Sequence, residues 1–150
     1  MGKTVILSLK KNRLSIDVIL RFFVKRSNYP LKFMTLTQEL QVILFKPQAS
    51  IDLEGGMALS KQMAEVVPQA HQLWVIDLAE VNFMDSSGLV PLVKGLKAAR
   101  QSGCRLVLCN VQVPVRLILE LTQLDSVFEI FHTYEDIFTT VKDNSLVLAG

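Results

Sequence analysis

Histidine and cysteine are scarce in this chain, with two of each among 150 residues, and that scarcity removes several chemistries. His71 and His132 stand at no metal-ligand spacing to each other or to a cysteine, which excludes the usual His/Cys zinc patterns. The glycine that a G-x-S-x-G nucleophile elbow requires ahead of its serine is missing before Ser86, which argues against a Ser-His-Asp hydrolase. Cys104 and Cys109 flank one predicted strand that holds them on the order of 16 Å apart, beyond disulfide reach, and read as buried free thiols in a reducing cytosol. Long apolar runs are missing too. Lys10, Lys11, Arg13, Asp17 and Arg21 interrupt the apolar stretches Val5 to Leu7 and Val18 to Val24, short of the roughly 20 residues a bilayer crossing needs. No apolar run is followed by a small-residue cleavage site, so a secretory signal is a poor reading. Internal repeats and low-complexity stretches are absent as well.

What remains is half hydrophobic and long enough for one domain with a real core. The formal charge of +2 hides a split, because residues 1–33 hold eight Lys/Arg and one acid, leaving eight basic and thirteen acidic residues from Met34 onward. The acidic part is an unlikely nucleic-acid surface, and no direct nucleic-acid contact is expected. The domain is therefore assigned to residues 34–150, and residues 1–33 to a basic extension, either disordered or upstream of the true start. Asn28-Tyr29-Pro30 punctuates the junction. A second reading of the extension stays open: Ile16, Ile19, Leu20 and Phe23 share a helical face, with Arg13, Asp17, Arg21 and Lys25 on another, as in a helix that touches an anionic membrane or a partner.

From Met34 the pattern alternates. Leu40 to Phe45 reads as a strand ended by Pro47, with Thr35 to Thr37 as a candidate neighbour. Ala49 to Asp52 leads into a helix with Leu59, Met63, Val66 and Val67 on its inner face, its start weakened or delayed by Gly55-Gly56. Leu73 to Ile76 is an unbroken apolar run, the mark of a strand buried on both faces, and Trp74 is read as core. Leu89, Leu92, Val93, Leu96 and Ala99 then recur at helical spacing until Gly103. Arg105 to Cys109 is a second interior strand, Pro114 opens a helix with Val115, Ile118, Leu119 and Thr122 inside, Val127 to Phe131 is a last strand, and Tyr134 to about Leu146 a closing helix. Strands alternating with helices predict an α/β fold, a mainly parallel four- to five-stranded sheet flanked by about four helices.

Asp85-Ser86-Ser87-Gly88 places a short polar group at a helix N-terminus, where unpaired amides and the helix dipole favour an anion. The bland reading is an N-cap and nothing more. Val75 to Leu89, VIDLAEVNFMDSSGL, resembles the signature of the STAS family, shared by bacterial anti-sigma factor antagonists and sulfate transporters. The turn at Ala49 to Asp52 matches the family's at its final aspartate, while Ala49 replaces a family glycine. The resemblance implies a STAS-like fold and a cytoplasmic, non-enzymatic switch protein with no cofactor of its own. It implies that Ser86 is the phosphorylation site, that an anti-sigma serine kinase binds the unphosphorylated form through a surface containing Asp52, Asp85, Ser86, Ser87 and Gly88, and that a serine phosphatase resets it. Docking on the kinase would release a sigma factor. Asp85 is expected to orient the Ser86 hydroxyl, and Pro91 to tilt the helix.

Two other readings stand beside it. A STAS accessory or scaffold subunit of a membrane transport complex would use Ser86 as a cap alone. A Mg²⁺-dependent phosphotransfer site would need Asp52, Asp77 and Asp85 to converge at the carboxyl ends of the strands, yet no lysine lies in Val127 to Phe131 to meet a phosphoryl group.

Overall fold

A computed structural model describes residues 3–8, 41–70 and 72–139. The strands are β1 (Lys3–Ser8), β2 (Gln41–Lys46), β3 (Ala49–Ile51), β4 (Gln72–Asp77), β5 (Val81–Met84), β6 (Arg105–Cys109) and β7 (Glu129–Phe131). The helices are α1 (Leu53–Ala64), α2 (Ser86–Gln101) and α3 (Val113–Leu121), followed by a 3₁₀ turn at Leu124–Ser126 and a helical segment at 134–139. Five strands make the main sheet in the order β1-β2-β4-β6-β7, with β1 antiparallel and the other four parallel. The α/β class and the mainly parallel sheet are as expected from the sequence.

Strand β4 holds the centre. All six of its residues are buried, as its apolar run predicts. Its pleat splits the core in two. Ile43, Phe45, Trp74, Ile76, Leu106 and Leu108 face the layer of α1, α2 and α3, while Val42, Leu44, Leu73, Val75, Val107 and Cys109 face the other way, toward Ile137. Trp74 packs edge-on against Phe45 with centroids 5.4 Å apart, and its indole N–H donates to Gln72 Oε1 at 3.1 Å. At the carboxyl end of β4, buried Asp77 accepts from the Ala79 amide and from Asn110 Nδ2, and pairs with Lys46 at 3.6 Å. These contacts fix how the chain leaves the sheet.

Several boundaries differ from the expectation. The last strand begins at Glu129, because the Val127 and Phe128 amides both donate to Leu124 O in a turn entered through left-handed Gln123. Helix α1 begins directly after Asp52 despite its two glycines. Val67, Val93 and Thr122, expected inside, are exposed, and Ile118 is half-buried. Strands β3 and β5, absent from the sequence reading, form a separate parallel pair. The expectations for Thr35 to Thr37, the amphipathic stretch around Ile16, His71 and the closing helix beyond residue 139 lie outside the described residues.

Residues 3–8, inside the segment expected to stand apart, form the edge strand β1, in register from Lys3↔Lys46 to Ser8↔Gln41. Deleting residues 1–33 strips six ladder positions from β2. Chemical denaturation of the full chain and of residues 34–150 should show a loss of about 1–3 kcal/mol on deletion, cross-strand pairs being partly offset by the released loop closure. Equal midpoints would show that the strand adds nothing.

The two thiols lie on opposite faces of the sheet, Cys104 with the helix layer and Cys109 with the other, both buried and unpaired. Burial pushes the Cys104 thiol up to about 11 and, together with the Asp77 charge, the Cys109 thiol up to about 12. The unfolded chain loses these protons near 9.0 and the folded chain above it, so stability is intact below pH 9 and should fall as pH rises through the folded values. Native alkylation at pH 8 should be slow at both thiols and fast after denaturation; rapid native labelling would contradict their burial.

Candidate functional site

The small β3–β5 pair builds the site. Its register sets Ile51 beside Met84, so the next residues, Asp52 and Asp85, stand side by side, and each caps the helix that follows. Asp52 Oδ1 accepts from the Gly55 amide at 3.0 Å and Oδ2 from the Ser50 hydroxyl at 3.2 Å. The Gly55 amide, helped by Ser50 and against desolvation, holds the Asp52 carboxyl below its ordinary value. Asp85 Oδ1 accepts from the Ser87 amide at 2.8 Å and the Gly88 amide at 3.2 Å. The carboxylate is thus turned to the helix amides rather than to the Ser86 hydroxyl, contrary to the orienting role expected of it.

Two glycines allow this close seating. A Cβ on Gly55 would lie 2.1 Å from Ser50 O, and one on Gly88 would lie 1.9 Å from Ile51 O. Both glycines occupy the third position of their helices, directly over the carbonyls of β3. Gly56 brings α1 onto α2, where a Cβ would sit 3.3 Å from Pro91 Cγ and 3.3 Å from Ser87 O. Pro91 is buried inside α2, which runs unbroken from Ser86 to Gln101. Lacking an N–H, it cannot donate the helical hydrogen bond to Ser87 O, the oxygen beside which Gly56 packs. Ala49, at the position of the family glycine, has φ 61, a left-handed conformation that an alanine adopts under strain.

Of the residues singled out from sequence, Asp52, Asp85, Ser86, Ser87 and Gly88 come together, and Asp77 does not. Ser86 is exposed at the first position of α2, and its hydroxyl bonds to no group among the described residues. Ser87 is half-buried, and Gly88 is buried against Ile51, so Gly88 supports the surface rather than offering contacts to a partner. Asp77 belongs to the main sheet with Lys46 and Asn110, and among the described residues no group of three or more His, Cys, Asp or Glu is placed to hold a metal. The three aspartates therefore do not converge as the phosphotransfer reading requires. A cleft of about 230 Å³ opens beside Asp52, between Gln48, Ser50, Glu54 and Gln62; Ser86 is not part of it. Sequence reasoning missed Leu53, Phe83 and Val90, exposed apolar residues that flank the two caps together with exposed Met57. Gly55-Gly56 at a helix start, where propensity disfavours glycine, was the available signal of the close approach.

Ser86 is thus an exposed residue directly after the Asp85 cap, at the first turn of α2 and outside the cleft, in a chain whose main sheet is mostly parallel. The chain belongs to the STAS domain family, whose pattern it matches over residues 34–137. It is 24% identical over 102 residues to an anti-sigma F factor antagonist of Paenibacillus polymyxa, a match spanning 67% of this chain and 87% of that protein. Its fold resembles that of an anti-sigma-factor antagonist (STAS) domain protein from Planctomyces limnophilus, with TM-score 0.59, 24% identity and coverage of 69% and 92% of the two chains. It also resembles the Bacillus cell fate determinant SpoIIAA in its phosphorylated form, with TM-score 0.52, 16% identity and coverage of 67% and 90%. No helix among the described residues is long and apolar enough to cross a membrane.

The glycine geometry sets two opposite expectations for one stability measurement. Gly88→Ala should destabilise by about 3 kcal/mol or more, because its methyl meets backbone that cannot yield without moving α2 off β3. Ala49→Gly should stabilise by about 0.5–1 kcal/mol, the released strain exceeding the added chain entropy. Denaturant midpoints of both variants check the signs; a neutral Gly88→Ala would refute the close seating.

Proposed function

We propose that this chain is a cytoplasmic anti-sigma factor antagonist, a switch protein that binds an anti-sigma serine kinase while Ser86 is unphosphorylated and is released once Ser86 carries phosphate. The observation that carries the reading is the exposed Ser86 hydroxyl at the start of α2, beside the exposed apolar side chains Leu53, Met57, Phe83 and Val90. The names of the Paenibacillus relative and of the phosphorylated SpoIIAA structure support it.

The chain acts as acceptor, not catalyst. The partner brings ATP, the Ser86 oxygen attacks the terminal phosphorus, ADP leaves and the hydroxyl proton passes to the kinase's base. Asp85 already holds the Ser87 and Gly88 amides, so the new phosphate meets no free pair of helix amides there and stays on the docking surface. Close to two negative charges then stand among apolar contacts and beside the carboxylates of Asp52 and Asp85. Burying them against the kinase is unfavourable, and a loss of about 3 kcal/mol is a hundredfold or more in affinity. A serine phosphatase restores the hydroxyl.

Incubation of variants with the anti-sigma kinase and ATP, followed by phosphopeptide mapping and binding measurements, tests the reading. Ser86→Ala should stay folded, bind the kinase and accept no phosphate, since Asp85 and not Ser86 supplies the cap. Ser87→Ala should still be modified at Ser86. Ser86→Asp should fold, a carboxylate being favourable at a helix N-terminus, and should bind at least tenfold more weakly. Phosphate on Ser87 alone would move the assignment by one residue. Equal affinity for wild type, Ser86→Asp and the phosphoprotein would remove the switch and leave a scaffold subunit.

A further inference from the structure

Helix α2 carries Lys94, Lys97 and Arg100 and no acid, whereas α1 holds Glu54 with Lys61 and α3 holds Arg116 with Glu120. Arg100 has a use within the fold, since its guanidinium donates to Val127 O at 3.0 Å. Lys94 and Lys97 are exposed and have neither an ion pair nor a hydrogen bond among the described residues. The helix dipole does not account for them. Its pull on cations is confined to the last turn, which holds Arg100, and both lysines lie before that turn.

The two lysines continue the face that carries the serine. At about 100° and 1.5 Å per residue, Ser86, Val90, Val93, Lys94 and Lys97 fall within about 100° of arc. Lys94 then lies about 12 Å and Lys97 about 16 Å from Ser86 along the helix axis. Val90 and Val93, 50% and 42% exposed, fill the interval. With the acids at the two helix starts, the surface has a polarity: Asp52, Glu54 and Asp85 at the serine end, apolar side chains in the middle, ammonium groups at the far end.

We propose that Lys94 and Lys97 form an ionic anchor for an acidic segment of the kinase, one that presents carboxylates about 12–16 Å from the point where it receives Ser86. The anchor rests on the switch reading above and adds the chemistry of the partner. A kinase surface of reversed order, cationic at the serine, apolar in the middle and anionic beyond, meets opposite charge at both ends in one orientation. Turned around, it meets like charge at both ends. Charges at the rim of an interface act mainly on the encounter, through steering that salt screens. The anchor therefore selects the partner and sets the docking direction without entering the phosphoryl transfer.

Binding and phosphorylation of the full chain by the anti-sigma kinase test the anchor. Lys94→Glu with Lys97→Glu should bind at least tenfold more weakly at low ionic strength, mostly through a slower association rate, and the loss should shrink as salt is raised. Phosphorylation of Ser86 by the kinase and ATP should show a raised KM and an unchanged kcat for this variant, since neither lysine reaches the serine. Lys94→Arg with Lys97→Arg should keep the wild-type affinity within about twofold, which separates lost charge from a damaged helix. Lys97→Glu alone should cost at least about threefold, against less than about twofold for Arg116→Glu, the same reversal on α3. A double glutamate variant with the affinity and salt dependence of wild type overturns the anchor and leaves the switch standing. An equal loss for Arg116→Glu overturns it too, because net charge alone would then explain the effect. Failure of the switch reading shows elsewhere: the unmodified wild-type chain would not bind the kinase, or would bind it equally with phosphate on Ser86, and the anchor would fall with it.

Discussion

Two missing methyl groups govern this structure. At Gly55 and Gly88 the backbone of a helix's first turn presses on the carbonyls of Ser50 and Ile51, closer than any side chain allows. With those contacts made, α1 and α2 both start over β3, and the parallel register of β3 with β5 brings their caps side by side. The same unit appears twice: a short strand, an aspartate that takes helix amides, and a glycine at the third helical position. Each aspartate relieves amides that would otherwise be orphaned at a helix start, and each glycine lets that start sit low on the strand. The exposed serine is a consequence of this seating, being the first residue after the cap and the one directed away from the sheet.

The parts of the fold that were legible in sequence are those in which a long segment repeats one environment. Leu73 to Ile76 and Leu106 to Cys109 are uniformly buried, and their composition says so. The helix spacing of Leu92, Leu96 and Ala99 is equally plain, although Val93 drifts onto the exposed side. Elements of three and four residues carry no such period, which is why β3 and β5 read as turn and linker. Their role depends on pairing with each other across some thirty positions, a property that no local window holds. Strand β1 fails to show itself for a related reason: its partner is distant, and the basic composition of the surrounding residues suggests separation from an acidic domain.

Gly55-Gly56 shows where local reasoning points the wrong way. Propensity disfavours two glycines in a helix start by roughly 1 kcal/mol each relative to alanine, which predicts fraying. The structure uses the first to clear Ser50 O and the second to admit Pro91, and the helix begins without delay. Packing outweighs propensity because a methyl at 2.1 Å from a carbonyl oxygen is a far larger penalty than the entropy of one glycine. Ala49 is the converse case, a residue whose left-handed conformation agrees with the family's preference for glycine and not with its own.

The seating also bears on what kind of signal the site suits. A modification could act by moving the helix or by changing the charge of the surface, and the first turn of α2 has little slack for the former. Gly88 is wedged against Ile51, Pro91 is buried against Gly56, and Asp85 holds two amides of the turn. In the proposed switch, a phosphate on Ser86 therefore works against a rigid support. Rigidity helps such a switch, because the chain loses no binding energy to reordering its own turn, and the whole electrostatic penalty falls on the partner contact. Apolar side chains around the serine sharpen the contrast, since they favour docking when Ser86 is neutral and offer nothing to compensate two buried charges when it is not.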